Sequence, residues 1–495
     1  MKCILSIDQG TTGSRVFCFG TEGQLLGSAY REFTQHFPRP GWVEHDAIEI
    51  WQGVESLIVA ALKESQCKES EVLAIGITNQ RETTILWDRR TGRPIHNAIV
   101  WQCRRTAARC TELKEAGHAR TVQERTGLVI DAYFSATKIA WILDHVAGAR
   151  ERALRGELAA GTIDSFLLFK LTGEHRTEYT NASRTMLYNI KEKRWDDSLL
   201  ELLQVPAQVL PEVLPSASEF GRTRGLSVLP DGIPVLAMLG DQQAALFGQL
   251  CTRPGQAKNT YGTGCFLLFH TGSDFQLSKN GLLTTLAVDG KGQVAYALEG
   301  SVFIGGAVVQ WLRDYMHFLA QAKESEEIIR DLPDEDEIVM VPAFSGLGAP
   351  YWDMQARGAI FGLSRDTSPA QIVRAGLKSI ALQSLDLVRA MEQDTNKRIE
   401  TLRVDGGATA NHYLMQYQAD ILGCNVERPD NIDTTAVGSA YLAGLKAGLW
   451  DEARLRELGS GQLQRFSPQR PREWQEREIR YWHKAVERSR NWSEV

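Results

Sequence analysis

Long apolar runs are missing from this 495-residue chain. The longest, such as Ile233–Leu239, fall far short of the ~20 residues a membrane-spanning helix needs, so no membrane span is expected. A secretory leader is not expected either. The opening Met-Lys-Cys-Ile-Leu-Ser-Ile-Asp reaches Asp8 before an apolar segment of signal-peptide length can build. A basic excess is also lacking: the formal net charge is −6, which argues against a nucleic-acid partner. The eight cysteines include no Cys-x-x-Cys and no His/Cys cluster at zinc-ligand spacing, and only Cys103/Cys110 and Cys251/Cys265 lie close in sequence. Reduced, mostly buried thiols in a cytoplasmic protein are the expectation. Standard nucleotide signatures are absent as well. There is no Gly-x4-Gly-Lys-Ser/Thr, no Gly-x-Gly-x-x-Gly between strand and helix, no zinc-protease motif and no nucleophile-elbow serine. If the chain handles phosphate, another device must do it.

The chain is long enough for two domains, and each half opens in a similar way. Ile4–Asp8 reads as a strand, Gln-Gly-Thr-Thr-Gly turns the chain, and Ser14–Phe19 and Leu25–Phe33 follow as further strands. Glu49–Lys63 then places Ile50, Val54, Leu57, Ile58 and Ala61 on one helical face. In the second half, Ala257–Tyr261 leads into Gly-Thr-Gly at 262–264. Cys265–His270, Leu282–Val288 and Val294–Leu298 continue as strands, and Ile304–Leu319 as a helix. The repetition points to a duplicated α/β unit with a site in the cleft between copies. Gln204–Pro234, with its prolines and glycines, reads as an irregular connection ahead of a strand at Val235–Leu239. Near the end, Ile479, Trp482 and Val486 form the apolar stripe of a docked helix over Trp474–Val486.

Several segments could carry chemistry. Asp8-Gln-Gly-Thr-Thr-Gly-Ser-Arg15 puts a carboxylate suited to Mg2+ at a strand end. Its glycines let the backbone approach a phosphate, while Thr11, Thr12 and Arg15 supply donors and charge. Tyr261-Gly-Thr-Gly264 is a second such loop, and an ordinary hairpin turn explains either one alone. Val404-Asp-Gly-Gly-Ala-Thr-Ala-Asn411 reads as a strand, a Gly-Gly turn and a helix start, able to back a nucleotide. Asp241, emerging where the strand Val235–Leu239 meets a helix, suits general-base work or metal binding, and equally a plain helix cap. Arg81–Glu82 could donate to and accept from vicinal hydroxyls, with Trp101 covering the carbon edge. The competing reading is salt-bridged surface loops.

Taken together, these segments resemble the FGGY-type carbohydrate kinases over essentially the whole chain, thinning in the last ~45 residues, and within that family the branch acting on glycerol. Pro40–Asp46, Gly76–Thr84, Asn97–Arg105, Tyr179–Met186, Gly240–Gly248 and Lys258–Cys265 add to the segments quoted above. The resemblance implies an α/β fold of two duplicated ribonuclease H-like domains, of the actin/hexokinase ATPase type, with the active site in the interdomain cleft. Residues 1–250 would carry the polyol pocket and first phosphate loop, and residues 251–495 the nucleotide. It further implies ATP- and Mg2+-dependent phosphorylation of glycerol to sn-glycerol 3-phosphate by a homo-oligomer, dimer or tetramer. Arg81, Glu82, Trp101, Tyr133, Asp241, Gln242 and Phe266 would contact glycerol, with Asp241 as general base. Thr11, Thr12, Gly13, Arg15, Thr263, Gly306, Gln310, Gly407 and Asn411 would contact the nucleotide, and Asp8 and Asp241 the metal. One departure stands out. Enteric relatives bind fructose 1,6-bisphosphate through a Gly-Gly-Thr-Arg loop, whereas Leu229–Ile233 here lacks the arginine, so that inhibition is not expected.

Overall fold

The computed structural model describes residues 1–333, 337–430, 433–459, 461 and 463–493. In the first half, β1 (Cys3–Gln9), β2 (Gly13–Gly20) and β3 (Leu25–Glu32) form an antiparallel meander. Helix α1 (Ala47–Glu64) follows; its start is fixed by Asp46, whose carboxylate accepts from Ile48 N at 2.7 Å. Then come β4 (Val72–Asn79), the short helix α2 (Tyr179–Ala182), β5 (Gly221–Arg222), β6 (Pro234–Gly240) and α3 (Asp241–Gly248). The sheet order is β5-β6-β4-β1-β2-β3, with β1, β4 and β6 parallel. A second, four-stranded sheet joins Glu44–His45, Ala98–Ile99, Thr84–Asp88 and Leu158–Thr162.

The second half repeats the plan with β7 (Ala257–Tyr261), β8 (Cys265–Gly272), β9 (Leu283–Val288) and β10 (Val294–Val302). Next are α4 (Ala307–Asp314), α5 (Pro369–Thr395), β11 (Thr401–Asp405), α6 (His412–Leu422), β12 (Asn425–Pro429), α7 (Thr434–Lys446), β13 (Leu463–Phe466) and α8 (Arg472–Ser489). Its sheet runs β9-β10-β8-β7-β11-β12-β13, with β7, β11 and β12 parallel. The duplication is therefore real in topology, with one difference: β9 is an added edge strand, and β10 rather than β9 lies beside β8. The helix expected over Ile304–Leu319 shrinks to Ala307–Asp314. Gly305 and Gly306 are drawn out of it, donating to Thr263 O and Gly262 O at 2.8 Å each. The C-terminal helix docks as expected, with Ile479, Trp482 and Val486 in the core of the second lobe.

The two lobes are joined most intimately through α7. Although it belongs to the second half, it packs on β1, β4, β6 and α3 of the first. Ser6 in β1 donates to Ala436 O at 2.9 Å and meets the Ser439 hydroxyl at 2.7 Å. The close approach demands glycine: a Cβ on Gly438 would sit 1.9 Å from Ala244 O, and one on Gly248 2.1 Å from Thr434 O. A second seam holds β9–β10 against the first lobe. Thr284 N donates to Gly127 O at 2.9 Å, Gln243 Nε2 to Thr285 Oγ1 at 3.1 Å, and the Tyr296 hydroxyl to Ile190 O at 3.0 Å. Among the described residues no helix is long and apolar enough to cross a membrane.

Candidate active site between the lobes

Parallel strands place their carboxyl ends on one edge of a sheet, and both sheets present that edge to the interlobe cleft. In the first lobe the edge carries Asp8, Asn79 and Gly240, aligned because Asp8 pairs with Thr78 and Gly240 with Asn79. In the second it carries Thr260 and Asp405, which also pair. Asp241 is the first residue of α3, so its side chain leaves the strand end directly into the cleft. Its Oδ1 accepts from Gln242 N at 2.7 Å and lies 3.3 Å from Arg81 Nε, and the side chain keeps 28% exposure. Burial pushes the Asp241 carboxyl up, opposed by Arg81 and Lys258. Asp8 accepts from Thr435 Oγ1 at 3.0 Å. Burial, helped by the negative charges of Asp241 and Asp433, pushes it up to about 6 against the pull of Arg15 and Thr435.

Behind Asp241 lies a buried lattice of alternating charge. Arg81 grips Glu299 of β10 with both terminal nitrogens, at 2.6 and 2.8 Å, and its Nη1 also reaches Gln243 Oε1 at 3.2 Å. Glu82 accepts from Arg184 Nε at 2.6 Å, and Arg184 Nη2 lies 3.3 Å from Glu299. Glu82 has a φ of 60°, the left-handed region that non-glycine residues seldom occupy. That turn sends neighbouring side chains to different partners. Burial pushes Glu299 up, but Arg184 and Arg81 outweigh it and bring the carboxyl down to about 2. A depressed acid stabilises the fold above its unfolded value of ~4.5 and loses that contribution as pH falls toward the folded value. The melting temperature of the protein should therefore fall between pH ~4.5 and ~2, with a shallower slope in Glu299→Gln, as differential scanning fluorimetry would record.

An aromatic box closes over this lattice. Trp101 meets the Tyr133 ring edge-on at 5.5 Å and Phe266, from the other lobe, at 6.4 Å. The Arg184 guanidinium stands 5.4 Å from the Tyr133 ring centre and 5.2 Å from that of Phe134. The Trp101 indole N–H donates to Thr11 Oγ1 at 2.9 Å, tying the box to the first Gly-Thr loop. Gln242 accepts from Lys258 Nζ at 2.5 Å, a further tie between lobes. Burial pushes the Lys258 ammonium down to about 8, against the pull of Asp405 and Asp241.

The nucleotide residues expected in the second half gather in one place. Thr263, Gly306, Gln310, Gly407 and Asn411 all line a cleft of about 530 Å³ in the second lobe. The first loop behaves differently from its sequence reading in three details. Arg15 does not stand free: its Nη1 reaches Asp433 Oδ1 across the cleft at 2.6 Å. The Thr11 hydroxyl is engaged by Trp101. Gly13 is needed locally, since a Cβ there would lie 2.5 Å from the Tyr30 ring. Thr12 is exposed at the turn, where Gly10 N donates to Gly13 O at 3.0 Å. Asn411 caps α6 by accepting from Leu414 N at 2.8 Å and donates to Ser325 Oγ at 3.1 Å, so its side chain is already committed.

Arg81, Glu82, Trp101, Tyr133, Asp241, Gln242 and Phe266 do converge, and the surface-loop alternative for Arg81–Glu82 is excluded because both are buried. Sequence reasoning missed Arg184, Gln243, Lys258 and Glu299. The available signal was a charged residue inside an otherwise apolar strand, as in Tyr-Ala-Leu-Glu-Gly-Ser-Val at 296–302. Such a charge is almost never fully buried unless paired.

Two topologically matched α/β lobes thus bring together a part-exposed carboxylate, a buried polar cluster and a separate cleft in the second lobe. The sequence pattern of the FGGY family of carbohydrate kinases matches residues 3–248 with its N-terminal domain and 257–447 with its C-terminal domain. The chain belongs to this family. It is similar to the glycerol kinase of Leptospira biflexa serovar Patoc, with 56% identity over 488 residues covering 98% of each chain. With that of Carboxydothermus hydrogenoformans it shares 54% identity over 493 residues, 99% of each. The crystal structure of Plasmodium falciparum glycerol kinase with ADP superposes with a TM-score of 0.93 at 36% identity, covering 99% of this chain and 98% of that one.

Proposed function

We propose that the protein transfers the γ-phosphoryl group of ATP to glycerol, giving sn-glycerol 3-phosphate and ADP. The observation that carries this reading is the part-exposed Asp241 carboxylate beside buried Arg81, with the Trp101, Tyr133 and Phe266 rings grouped in the same site. Identity above half with full-length glycerol kinases supports the choice of acceptor.

In this mechanism the polyol lies with its carbon edge against Trp101 and Phe266 and its hydroxyls toward Arg81, Glu82, Tyr133 and Asp241. Buried polar partners of this kind reject an analogue lacking a hydroxyl, since they would be left unpaired. Asp241 takes the proton of the attacking hydroxyl, whose oxygen bonds the γ-phosphorus. The bond from that phosphorus to the β–γ bridging oxygen breaks, and its electron pair leaves with ADP. Arg15, the backbone amides of the two Gly-Thr loops and Thr263 face the phosphates, and Gly306, Gln310, Gly407 and Asn411 the nucleotide. Phosphoryl transfer depends mainly on such alignment and charge neutralisation. Asp8 and Asp241 would hold Mg2+, a hard cation that takes one or two carboxylates beside phosphate oxygens and waters. The two carboxylates lie near enough for the charge of Asp241 to help raise Asp8, a pair of oxygen donors that suits a hard cation, so the donor set fits. Bound there, the ion would offset charge on the phosphates. Eight unpaired cysteines support a cytoplasmic setting.

A coupled ADP-release assay across glycerol, erythritol, dihydroxyacetone and xylulose tests the reading. Turnover should require glycerol and yield a phosphorylated triol. ATPase activity indifferent to glycerol, or a clear preference for xylulose, would overturn it. Trp101→Ala should raise the KM for glycerol about tenfold, the equivalent of ~1.4 kcal/mol of lost apolar cover, with a smaller change in KM for ATP.

A further inference from the structure

Two carboxylates compete for one guanidinium in this site. Arg81 stands between Glu299, which it holds through two hydrogen bonds at 2.6 and 2.8 Å, and Asp241, which its Nε approaches at 3.3 Å. Its other acidic neighbour, Glu82, is 4.0 Å away and is engaged by Arg184. The paired grip on Glu299 engages both terminal nitrogens of the fork and leaves the Nε side to Asp241. A planar guanidinium binds a carboxylate best through two parallel bonds. Freed from Glu299, it would find the same partner geometry in Asp241.

The geometry points to Glu299 as a positioning residue that keeps Arg81 from closing on Asp241, leaving that carboxylate's lone pairs for the incoming hydroxyl. The inference rests on the kinase reading above and extends it to a residue of the opposite lobe. Glu299 is suited to the task by its immobility. Its side chain is fully buried, and its strand is fixed to the first lobe through the Tyr296 hydroxyl and, by way of β9, through Thr284 and Thr285. Arg184 shares the work from the other side: it engages Glu82 at 2.6 Å, so that acid does not draw Arg81 off Glu299. A bystander ion pair predicts a different readout: losing one partner would lower the melting temperature, and removing both would restore stability without restoring kcat.

The test is a kinetic cycle on the full-length enzyme, with glycerol and ATP saturating. Glu299→Gln should lower kcat about 100-fold, the lower end of what a general base contributes, with a much smaller change in KM for ATP. The double variant Arg81→Met/Glu299→Met should recover about tenfold of that kcat while its glycerol KM stays high, a non-additivity expected only of coupled residues. Glu299→Asp, one methylene shorter, carries the test if the amide variant does not fold, and should lose about tenfold in kcat through a partly released Arg81. Wild-type kcat in Glu299→Gln or Glu299→Asp, or a double variant no faster than Glu299→Gln with its melting temperature retained, overturns the role of Glu299. Loss of glycerol-dependent turnover in the wild type would instead overturn the kinase reading.

Discussion

Asp241→Asn is expected to abolish nearly all phosphoryl transfer, lowering kcat by about 10³-fold or more, within the range ascribed to general acid–base catalysis. The amide keeps the size of the side chain and can still accept from Gln242 N, so α3 should start at the same residue. What it loses is the capacity to take a proton from the attacking hydroxyl and one of two negative charges facing the phosphates. The substitution also relieves the like-charge repulsion that raises Asp8. Melting temperature should therefore hold or rise slightly while turnover collapses. Steady-state kinetics beside thermal unfolding would separate the two, and an Asp241→Asn enzyme with more than a tenth of wild-type kcat would contradict the assignment.

Gly438→Ala should have the largest effect on stability. The added methyl would stand 1.9 Å from Ala244 O, and the obstacle is backbone that cannot rotate aside. Helices α3 and α7 must separate, at a cost of about 2–3 kcal/mol, the upper part of the range for overpacked cores. Because Asp241 opens α3, the displacement reaches the site. Both a lower urea midpoint and a reduced kcat are expected, with the glycerol KM less affected because the Arg81–Glu82 pocket hangs on β4. Gly53 in α1 supplies the contrast: a Cβ there meets nothing within 4 Å, so Gly53→Ala should be harmless or stabilising. Equal behaviour of the two variants in urea titrations would refute the close-packing argument.

Local pattern made part of this architecture readable in advance. β1, its Gly-Thr turn and β2 follow from short apolar runs broken by glycine, and Asp241 follows from a strand that ends in Gly-Asp. The stripe of Ile479, Trp482 and Val486 announced α8. Each of these signals is confined to a window of a few residues, where side-chain period and backbone preference act directly. The α4 prediction failed at its start for a non-local reason, the capture of Gly305 and Gly306 by the loop at 262–263.

The sequence by itself therefore determined the family of strands and loops, the residue types available for chemistry and the identity of the carboxylate proposed as base. Only the tertiary structure decided their partners. Arg81 and Glu299 lie 218 residues apart, and Glu82 and Arg184 102 apart, yet each pair is buried in contact. No local periodicity encodes such pairings, because a buried charge selects whichever opposite charge the packing of two lobes brings within reach. The same holds for α7, whose glycine fits the first lobe only once both sheets are assembled.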